Sequence, residues 1–206
     1  MVRRQLADRG ITDRRVLAAM RAVPREQFVP PDLTHDAYGD HPLRIGAGQT
    51  ISQPYIVALM TEAARLTRRS RVLEIGAGSG YHAAVLARLA AAVWTIDRLP
   101  DLARQARQRL AALGAANVTV LIGDGALGYP PVAPFDAILV AAAAPAPPAA
   151  LLRQLAPGGR LVIPVGARDV QQLTVYERTA RGTATQELCA CCFVPLVSRE
   201  AFSQAP

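Results

Sequence analysis

The pattern with the clearest chemical meaning is a run of glycines at alternate positions that follows an acidic residue. The glycines are Gly76, Gly78 and Gly80, and the acid is Glu74. Glycine lacks a Cβ, so a backbone built from it can turn tightly and approach a ligand closely. The mostly apolar segment Val72–Ile75 precedes the turn, and apolar residues at helical spacing follow it. A strand, a glycine turn and a helix in this order predict the first unit of a nucleotide-binding α/β fold.

The spacing of these glycines argues against a dinucleotide site. A dinucleotide-binding turn has the pattern G-x-G-x-x-G, which would require glycine at the position where this chain has Tyr81. The observed pattern, E-x-G-x-G-x-G, resembles instead the first motif of class I S-adenosylmethionine-dependent methyltransferases. A tight turn that binds no ligand is the simpler alternative. Glycines at three alternate positions after an apolar strand make it less favoured.

Two polar residues outside the turn are further candidates. Asp97 ends a second apolar strand, Ala92–Asp97, where an acid receives ribose hydroxyls in nucleotide-binding folds. It could also cap the following helix, but its position favours ligand binding. Ser52 precedes Pro54, which suits a first helical turn, so on pattern alone Ser52 is expected to be a helix N-cap.

Composition limits the class of protein. The chain has 206 residues, of which 51% are hydrophobic, and this suits one globular domain. The formal charge of +7 comes from arginine, which is scattered along a chain with 5% aromatic residues, so we expect no nucleic-acid partner. A positive field could still attract an acidic substrate. No apolar run is long enough to span a membrane and no signal-peptide core is present, so a cytoplasmic protein is expected.

The cysteines crowd into one apolar stretch, at Cys189, Cys191 and Cys192. A zinc site needs four ligands at suitable spacing, and no second cysteine pair or nearby histidine supplies them. We therefore expect no metal and interpret the cysteines as buried, reduced thiols of a strand.

Hydrophobic periodicity predicts the remaining architecture. Residues 1–50 are expected to form a small N-terminal helical extension that breaks at Gly10, with a loop from Pro31 to Ile45. Residues 51–206 are expected to form a Rossmann-like core with a seven-stranded, mostly parallel sheet and helices on both faces. Gln171–Glu177 and Gln186–Val194 are expected to close the sheet as an antiparallel pair, because few residues separate them.

Over essentially its whole length the chain resembles the protein-L-isoaspartate (D-aspartate) O-methyltransferase family. The resemblance rests on blocks that begin at Val23 (VPREQFV), Gly48 (GQTISQPYIVALM), Val72 (VLEIGAGSGY), Gly123 (GDG), Phe135 (FDAILVAAAAP), Gln154 (QLAPGGRLVIPVG) and Phe193 (FVPL). The glycine motif alone indicates only a methyltransferase. The TISQP and FVPL blocks distinguish this family from its many relatives.

The resemblance implies a site for S-adenosyl-L-methionine and a site for an isoaspartyl protein or peptide. Ser52 becomes the catalytic candidate, beside the transferred methyl group, and it also binds the substrate carboxylate. Val194 matches a segment whose backbone pairs with the substrate. The implied cofactor-binding residues are Thr50, Ile51, Glu74, Gly76, Gly78, Gly80, Asp97, Asp124 and Gly125.

The chemistry needs few catalytic groups. A carboxylate is already ionised at neutral pH, so its methylation needs no general base. The protein has to hold the reacting atoms in line, and a serine hydroxyl can orient the carboxylate by a hydrogen bond. The leading hypothesis is therefore methylation of L-isoaspartyl and D-aspartyl residues in damaged proteins, which starts repair through a succinimide.

Two alternatives stay open at this stage. A relative of the family could methylate an aspartate of one dedicated, ribosomally made peptide, and a non-catalytic cofactor-binding protein is the least favoured alternative. Arg44 departs from the family's pattern, in which proline or a small residue is common, and either binds a second acidic group or points to solvent. A monomer is the default expectation.

Overall fold

The structure, a computed structural model, describes residues 1–202 and contains two sheets. A small hairpin pairs β1 with β2, and the other strands form one seven-stranded sheet. In chain order the strands are β1 Leu43–Gly46, β2 Gln49–Ile51, β3 Arg71–Ile75, β4 Ala92–Asp97, β5 Val118–Ile122, β6 Phe135–Val140, β7 Leu155–Gly166, β8 Gln171–Thr179 and β9 Gly182–Cys191.

The large sheet has the strand order β5-β4-β3-β6-β7-β8-β9. Strands β3 to β7 pair in parallel, whereas β8 is antiparallel to β7 and β9 is antiparallel to β8. The predicted seven-stranded, mostly parallel sheet is confirmed. The chain moves outward from β3 to β5 and then returns to the other side of β3 to form β6. This reversal opens a crevice at the carboxyl ends of β3 and β6.

Helices cover both faces of the sheet. They are α1 Arg14–Ala22, α2 Pro54–Ala63, α3 Tyr81–Ala87, α4 Pro100–Ala112 and α5 Ala149–Arg153. One core contains buried residues of α1, α2, α3 and α4, and the other contains a buried residue of α5. Among residues 1–202, no helix has the length and apolar character to cross a bilayer.

The central strands show why sequence alternation is weak in this sheet. Val72 and Leu139 belong to one core, whereas Leu73, Ile138 and Val140 belong to the other. All five side chains are fully buried. Because both faces of a parallel sheet are covered, successive residues are apolar and the strands are nearly continuous hydrophobic runs.

The N-terminal extension packs onto the first core through buried residues that include Leu6, Met20 and Phe28. The break at Gly10 is confirmed, because Gly10 has a left-handed φ of +98°. Asp13 then caps α1 by accepting a hydrogen bond from the Arg15 amide at 2.8 Å.

The prediction of a loop over residues 31–45 was wrong. A 3₁₀ helix spans Pro31–Asp36, and β1 begins at Leu43 and pairs with β2. Glycines and prolines obscured this short hairpin, because a strand of only four residues gives too little alternation to detect.

The closing antiparallel pair is confirmed as β8 and β9. However, β9 ends at Cys191, so Val194 lies beyond the strand and not inside it. The prediction of three buried strand thiols was wrong, because Cys189 and Cys191 are only half-buried in β9 and Cys192 lies beyond the strand and is exposed.

Candidate active site

The candidate site lies in the crevice at the carboxyl ends of β3 and β6. β3 leads into the glycine turn, and β6 leads into Ala141, whose amide donates to the Ile75 carbonyl at 2.8 Å. A Cβ built on Gly76 would lie 3.4 Å from the Ala141 Cβ. The two strand ends are therefore in close contact. The strand order reverses at this pair, so a ligand is expected in the crevice just outside their carboxyl ends.

The glycine turn adopts left-handed φ angles at its three glycines, +92° at Gly76, +51° at Gly78 and +90° at Gly80. Gly76 and Gly78 line a cavity, but Gly80 does not. A Cβ on Gly80 would lie 3.2 Å from the Ala106 Cβ, so this glycine allows α3 and α4 to pack closely. The structure thus separates the three glycines that the sequence grouped together.

Asp97 links the end of β4 to the glycine turn. Its Oδ2 accepts a hydrogen bond from the Gly78 amide at 2.8 Å, and its Oδ1 accepts one from the Leu99 amide at 2.9 Å. Leu99 is the N-cap residue of α4, so Asp97 is not itself the cap. The carboxylate is 7% exposed and lines the cavity beside the turn. It can therefore accept hydrogen bonds from ligand hydroxyl groups there.

Glu74 lies beneath the turn and does not line a cavity. Its side chain is 0% exposed, accepts a hydrogen bond from the Thr95 hydroxyl at one oxygen, and has no partner at Oε1. Burial raises the pKa of Glu74 to about 8. The carboxyl is therefore mainly protonated at neutral pH, because the charged form would lose its hydration.

His82 faces Glu74 from α3, with Nδ1 3.7 Å from the Glu74 Oε1. Burial lowers the pKa of His82 to about 4, so the ring is neutral. The Thr61 hydroxyl donates to the Val57 carbonyl at 2.7 Å and lies 2.9 Å from the His82 Nε2. Nε2 therefore carries the ring proton, and Nδ1 carries none and faces Glu74 at a distance too long for a hydrogen bond. The pair is neutral and is not a salt bridge.

The turn after β5 contains Asp124 and Gly125. Asp124 caps a 3₁₀ helix by accepting from the Ala126 amide at 3.0 Å, and its Oδ2 accepts from the Ser198 hydroxyl at 2.7 Å. Gly125 lines a cavity of about 160 Å³, which Asp124 does not line. A Cβ on Gly125 would lie 2.2 Å from the Ile75 Cγ2, so only glycine lets this turn lie against β3.

Ser52 connects β2 to α2. The expectation that it caps α2 was wrong, because the N-cap residue is Gln53, which makes no side-chain capping hydrogen bond. Pro54 occupies the first helical turn and supplies no amide hydrogen there. Thr50 and Ile51 belong to β2 and line the same cavity as Ser52.

Three adjoining cavities share their walls. The cofactor cavity, as we name it, combines the space beside the glycine turn with the space of about 160 Å³ that Gly125 lines. Gln49, Gly76, Asp97, Ala141 and Val194 line both parts. The outer groove, of about 130 Å³, is lined by residues that include Ser52, Gln53 and Cys192.

Ser52 and Val194 stand at the junction of these spaces. Ser52 lines the outer groove and the part of the cofactor cavity beside the glycine turn, and Val194 lines all three spaces. The Val194 carbonyl accepts from the Ala143 amide at 2.8 Å, which fixes the segment against the end of β6. A hydroxyl at this junction can reach a group bound in either space.

Within residues 1–202, no three His, Cys, Asp or Glu side chains are grouped so that they could hold a metal ion. Burial also raises the pKa of Cys191 to about 11, so its thiol is protonated at neutral pH.

Sequence reasoning missed three residues around the site. Tyr81 and His82 line the cofactor cavity from the first turn of α3, and the fully buried Arg25 donates to the Ser52 carbonyl at 2.8 Å. His82 follows the glycine motif directly, which was an available signal. Arg25 lies in the VPREQFV block, but no pattern in one sequence indicates that an arginine is buried.

Comparison with known proteins agrees with this geometry. The family model for protein-L-isoaspartate(D-aspartate) O-methyltransferase matches residues 1–201. Protein-L-isoaspartate O-methyltransferase 2 of Pelobacter propionicus is 57% identical over 202 residues, which cover 97% of this chain and 90% of the relative. The protein-L-isoaspartate O-methyltransferase of Methanoregula boonei is 57% identical over 199 residues, which cover 97% of this chain and 92% of the relative.

A solved structure is similar over almost the whole fold. It is a protein-L-isoaspartate O-methyltransferase from Plasmodium falciparum in complex with S-adenosyl-L-homocysteine. Its sequence is 27% identical and its TM-score is 0.83, with 95% of this chain and 96% of that chain covered. On the family match and these relatives, the chain belongs to the protein-L-isoaspartate(D-aspartate) O-methyltransferase family.

Proposed function

We propose that this protein transfers a methyl group from S-adenosyl-L-methionine to the carboxylate of L-isoaspartyl and D-aspartyl residues in damaged proteins. The observation that carries the proposal is the position of Ser52, where the outer groove meets the cofactor cavity. Methyl transfer requires two ligands whose reacting groups meet at one point. A groove on one side of a hydroxyl and a cavity on the other provide that arrangement.

The residues of the cofactor cavity fit S-adenosyl-L-methionine in their chemistry. Asp97 offers carboxylate oxygens suited to the hydroxyl groups of a ribose. Ile96, Leu99 and Leu196 line the part next to Gly125 and suit the apolar faces of an adenine ring. Gly76 and Gly78, with Thr50 and Ile51 opposite, would enclose the methionine portion.

Glu74 and Asp124 have indirect roles in this proposal. Glu74 is buried beneath the turn and supports it through Thr95 and His82. Asp124 fixes the turn that presents Gly125 to the cavity, and its link to Ser198 joins that turn to the C-terminal segment. Gly80 sets the packing of α3. These residues would therefore shape the cavity and need not touch the ligand.

The chain's own contribution to the reaction is positioning. When bound, S-adenosyl-L-methionine would supply the methyl group and leave as the neutral thioether S-adenosyl-L-homocysteine, so the substrate carboxylate would become a methyl ester. Ser52 can donate its hydroxyl hydrogen to one carboxylate oxygen and leave the other oxygen free to react. The Val194 amide, which donates to no acceptor within residues 1–202, is available to a substrate carbonyl. The adjacent backbone amide nitrogen of the substrate would then attack the ester carbonyl and release methanol, which leaves a succinimide, and hydrolysis of the succinimide returns part of the damaged residue to aspartate.

The partners and setting follow from the same proposal. Isoaspartyl proteins or peptides are the substrate, and we infer that nucleic acid is not. A monomer is the default expectation for the working unit, and size-exclusion chromatography with light scattering would test it. We also place the protein in the cytoplasm, where its thiols would stay reduced.

The test uses two peptides of identical sequence, one with isoaspartate and one with aspartate, and labelled S-adenosyl-L-methionine. Base-labile label on the isoaspartyl peptide alone is the expected result. Equal labelling of both peptides would contradict the proposal. Binding of S-adenosyl-L-homocysteine without transfer to either peptide would also contradict it and would favour a dedicated peptide substrate.

A further inference from the structure

Arg25 is a buried cation close to the candidate catalytic residue. It begins a short 3₁₀ helix, Arg25–Phe28, and its side chain is 0% exposed. No carboxylate in residues 1–202 lies within 4.0 Å of its guanidinium, and its Nη1 has no hydrogen-bond partner. An arginine remains charged at neutral pH, and a buried charge is unfavourable unless it is paired. This residue therefore requires an explanation beyond packing.

The guanidinium joins three separate segments. Its Nε donates to the Ala37 carbonyl at 2.8 Å, and its Nη2 donates to the Ser52 carbonyl at 2.8 Å. Its central carbon lies 4.7 Å from the centroid of the Tyr81 ring, which lines the cofactor cavity. A planar fork can make both hydrogen bonds and stack on an aromatic ring at once, which an ammonium group cannot do.

Among residues 1–202, the hydrogen bond from Arg25 to the Ser52 carbonyl is the one side-chain hydrogen bond made to Ser52 itself. Ser52 is not the cap of α2, and its hydroxyl makes no hydrogen bond within residues 1–202. The direction of the hydroxyl therefore depends on the backbone at Ser52. The hydrogen bond from Arg25 fixes the orientation of the peptide group that follows this residue. A fixed peptide plane restricts where the Cβ, and hence the hydroxyl, can point.

We propose that Arg25 is a positioning residue that holds the Ser52 hydroxyl in its reactive orientation. Its guanidinium contacts the Ala37 carbonyl and the Tyr81 ring and binds the Ser52 carbonyl, and we call these three contacts the clamp. The inference rests on the proposed function, because it assigns Ser52 the role of orienting the substrate carboxylate. Arg25 itself lines neither the cofactor cavity nor the outer groove. The N-terminal extension is then part of the catalytic machinery.

The first experiment compares Arg25→Lys and Arg25→Met with a control, Arg21→Met, which removes an exposed arginine from the end of α1. We expect kcat for an isoaspartyl peptide to fall by up to about a hundredfold in both Arg25 variants, because a small misplacement of a reacting group can have that effect. The affinity for S-adenosyl-L-homocysteine should change less than about threefold. Arg21→Met should match the wild type.

A double-mutant cycle separates positioning from general stability. If Arg25 acts through Ser52, adding Arg25→Lys to Ser52→Ala should lower kcat little further, because the group being positioned is already absent. Full additivity of the two losses would overturn the proposal. Should Arg25→Met fail to fold, Arg25→Lys, which keeps most of the length of the side chain, decides the question. The concentration of folded Arg25→Lys protein is measured from the stoichiometry of S-adenosyl-L-homocysteine binding, so that kcat refers to folded protein alone.

Hydrogen exchange tests the clamp without any substrate. Amides of Ser52, Gln53 and residues 55–57 should exchange faster in Arg25→Lys than in the wild type and in Arg21→Met, because the start of α2 loses its anchor. Unchanged exchange together with unchanged kcat would overturn the proposal. If the wild-type protein methylates no isoaspartyl peptide, the proposed function fails, whereas faster exchange in Arg25→Lys would still support the clamp.

Discussion

The proposed cofactor half and the proposed substrate half of the site are built in different ways. The cofactor half is largely local, because the turn from Gly76 to His82 supplies most of one wall, and Asp97 completes it from the next strand. The substrate half combines Ser52, Val194 and, behind them, Arg25, which lie far apart in the sequence. A local motif can be recognised from spacing, whereas a wall assembled from distant segments becomes visible only after folding. The two halves should also respond differently to mutation.

The largest expected effect is on the substrate half. Ser52→Ala should lower kcat by about a hundredfold, as loss of one hydrogen-bond donor at a reacting oxygen commonly does. The affinity for S-adenosyl-L-homocysteine should stay nearly unchanged, since the cofactor half keeps its walls. Steady-state kinetics and calorimetric titration measure the two quantities. A large loss of cofactor affinity with intact turnover would remove Ser52 from the catalytic role.

The converse change belongs to the cofactor half. Asp97→Asn should weaken S-adenosyl-L-homocysteine binding by about thirtyfold, because hydrogen bonds to a charged acceptor are stronger than those to a neutral one. At saturating cofactor, kcat should change little. Asp101→Asn is the matched control, because Asp101 lies in the first turn of α4 with an exposed side chain. Equal losses in both variants would show that the effect is one of general charge.

Glu74 and His82, which lie beneath the cavity, should make the stability of the protein depend on pH. Its pKa is raised from 4.5 to about 8, so the stability linked to its proton is complete at low pH and is lost as the pH rises through 8. His82 acts in the opposite sense, because its pKa is lowered from 6.5 to about 4. The stability that the neutral ring contributes to the protein is lost as the pH falls through 4. Above pH 6.5 only Glu74 of this pair still titrates.

The free energy of unfolding should therefore fall between pH 6.5 and pH 8, by on the order of 2 kcal/mol over that interval. Glu74→Gln stays neutral and should remove this fall. Urea unfolding at the two pH values gives the comparison, with the exposed Glu200→Gln as control. The same fall in Glu74→Gln and the wild type would mean that Glu74 is ionised in the folded protein at neutral pH.

The smallest expected effect concerns Arg44. It pairs with Thr50 across the β1–β2 hairpin, so both side chains project from the same face, and Arg44 is exposed. Arg44→Ala should raise KM about twofold for isoaspartyl peptides with acidic neighbours at low salt, and not at high salt. Arg14→Ala, an exposed arginine of α1, is the control. A change in kcat instead of KM would mean that Arg44 acts on the reaction itself.

Sequence reasoning recovered the fold better than it recovered the site. The large sheet and its closing antiparallel pair followed from apolar runs and short separations, which are local properties. The β1–β2 hairpin was missed because its strands are short and glycines surround them. The cap assigned to Ser52 was wrong because Gln53 takes that position. The assigned roles of the site residues stay predictions.

The glycine motif shows why spacing alone is not enough. Gly76 and Gly78 face the cavity, whereas Gly80 is constrained by Ala106 on α4. The resemblance also assigns Glu74 to cofactor binding, and its side chain is fully buried beneath the turn, so that role stays a prediction. Glycines of one motif can therefore be required for two different reasons, access of a ligand to the backbone and close packing of helices.

The wall formed by Val194 has a kinetic consequence. Because this residue lines the outer groove and both parts of the cofactor cavity, a peptide paired with its backbone would hold one wall of the cofactor cavity in place. Turnover should then be ordered, with S-adenosyl-L-methionine binding first and S-adenosyl-L-homocysteine leaving last. In product-inhibition experiments, S-adenosyl-L-homocysteine should compete with S-adenosyl-L-methionine and not with the peptide. Competition with both would indicate random order of exchange.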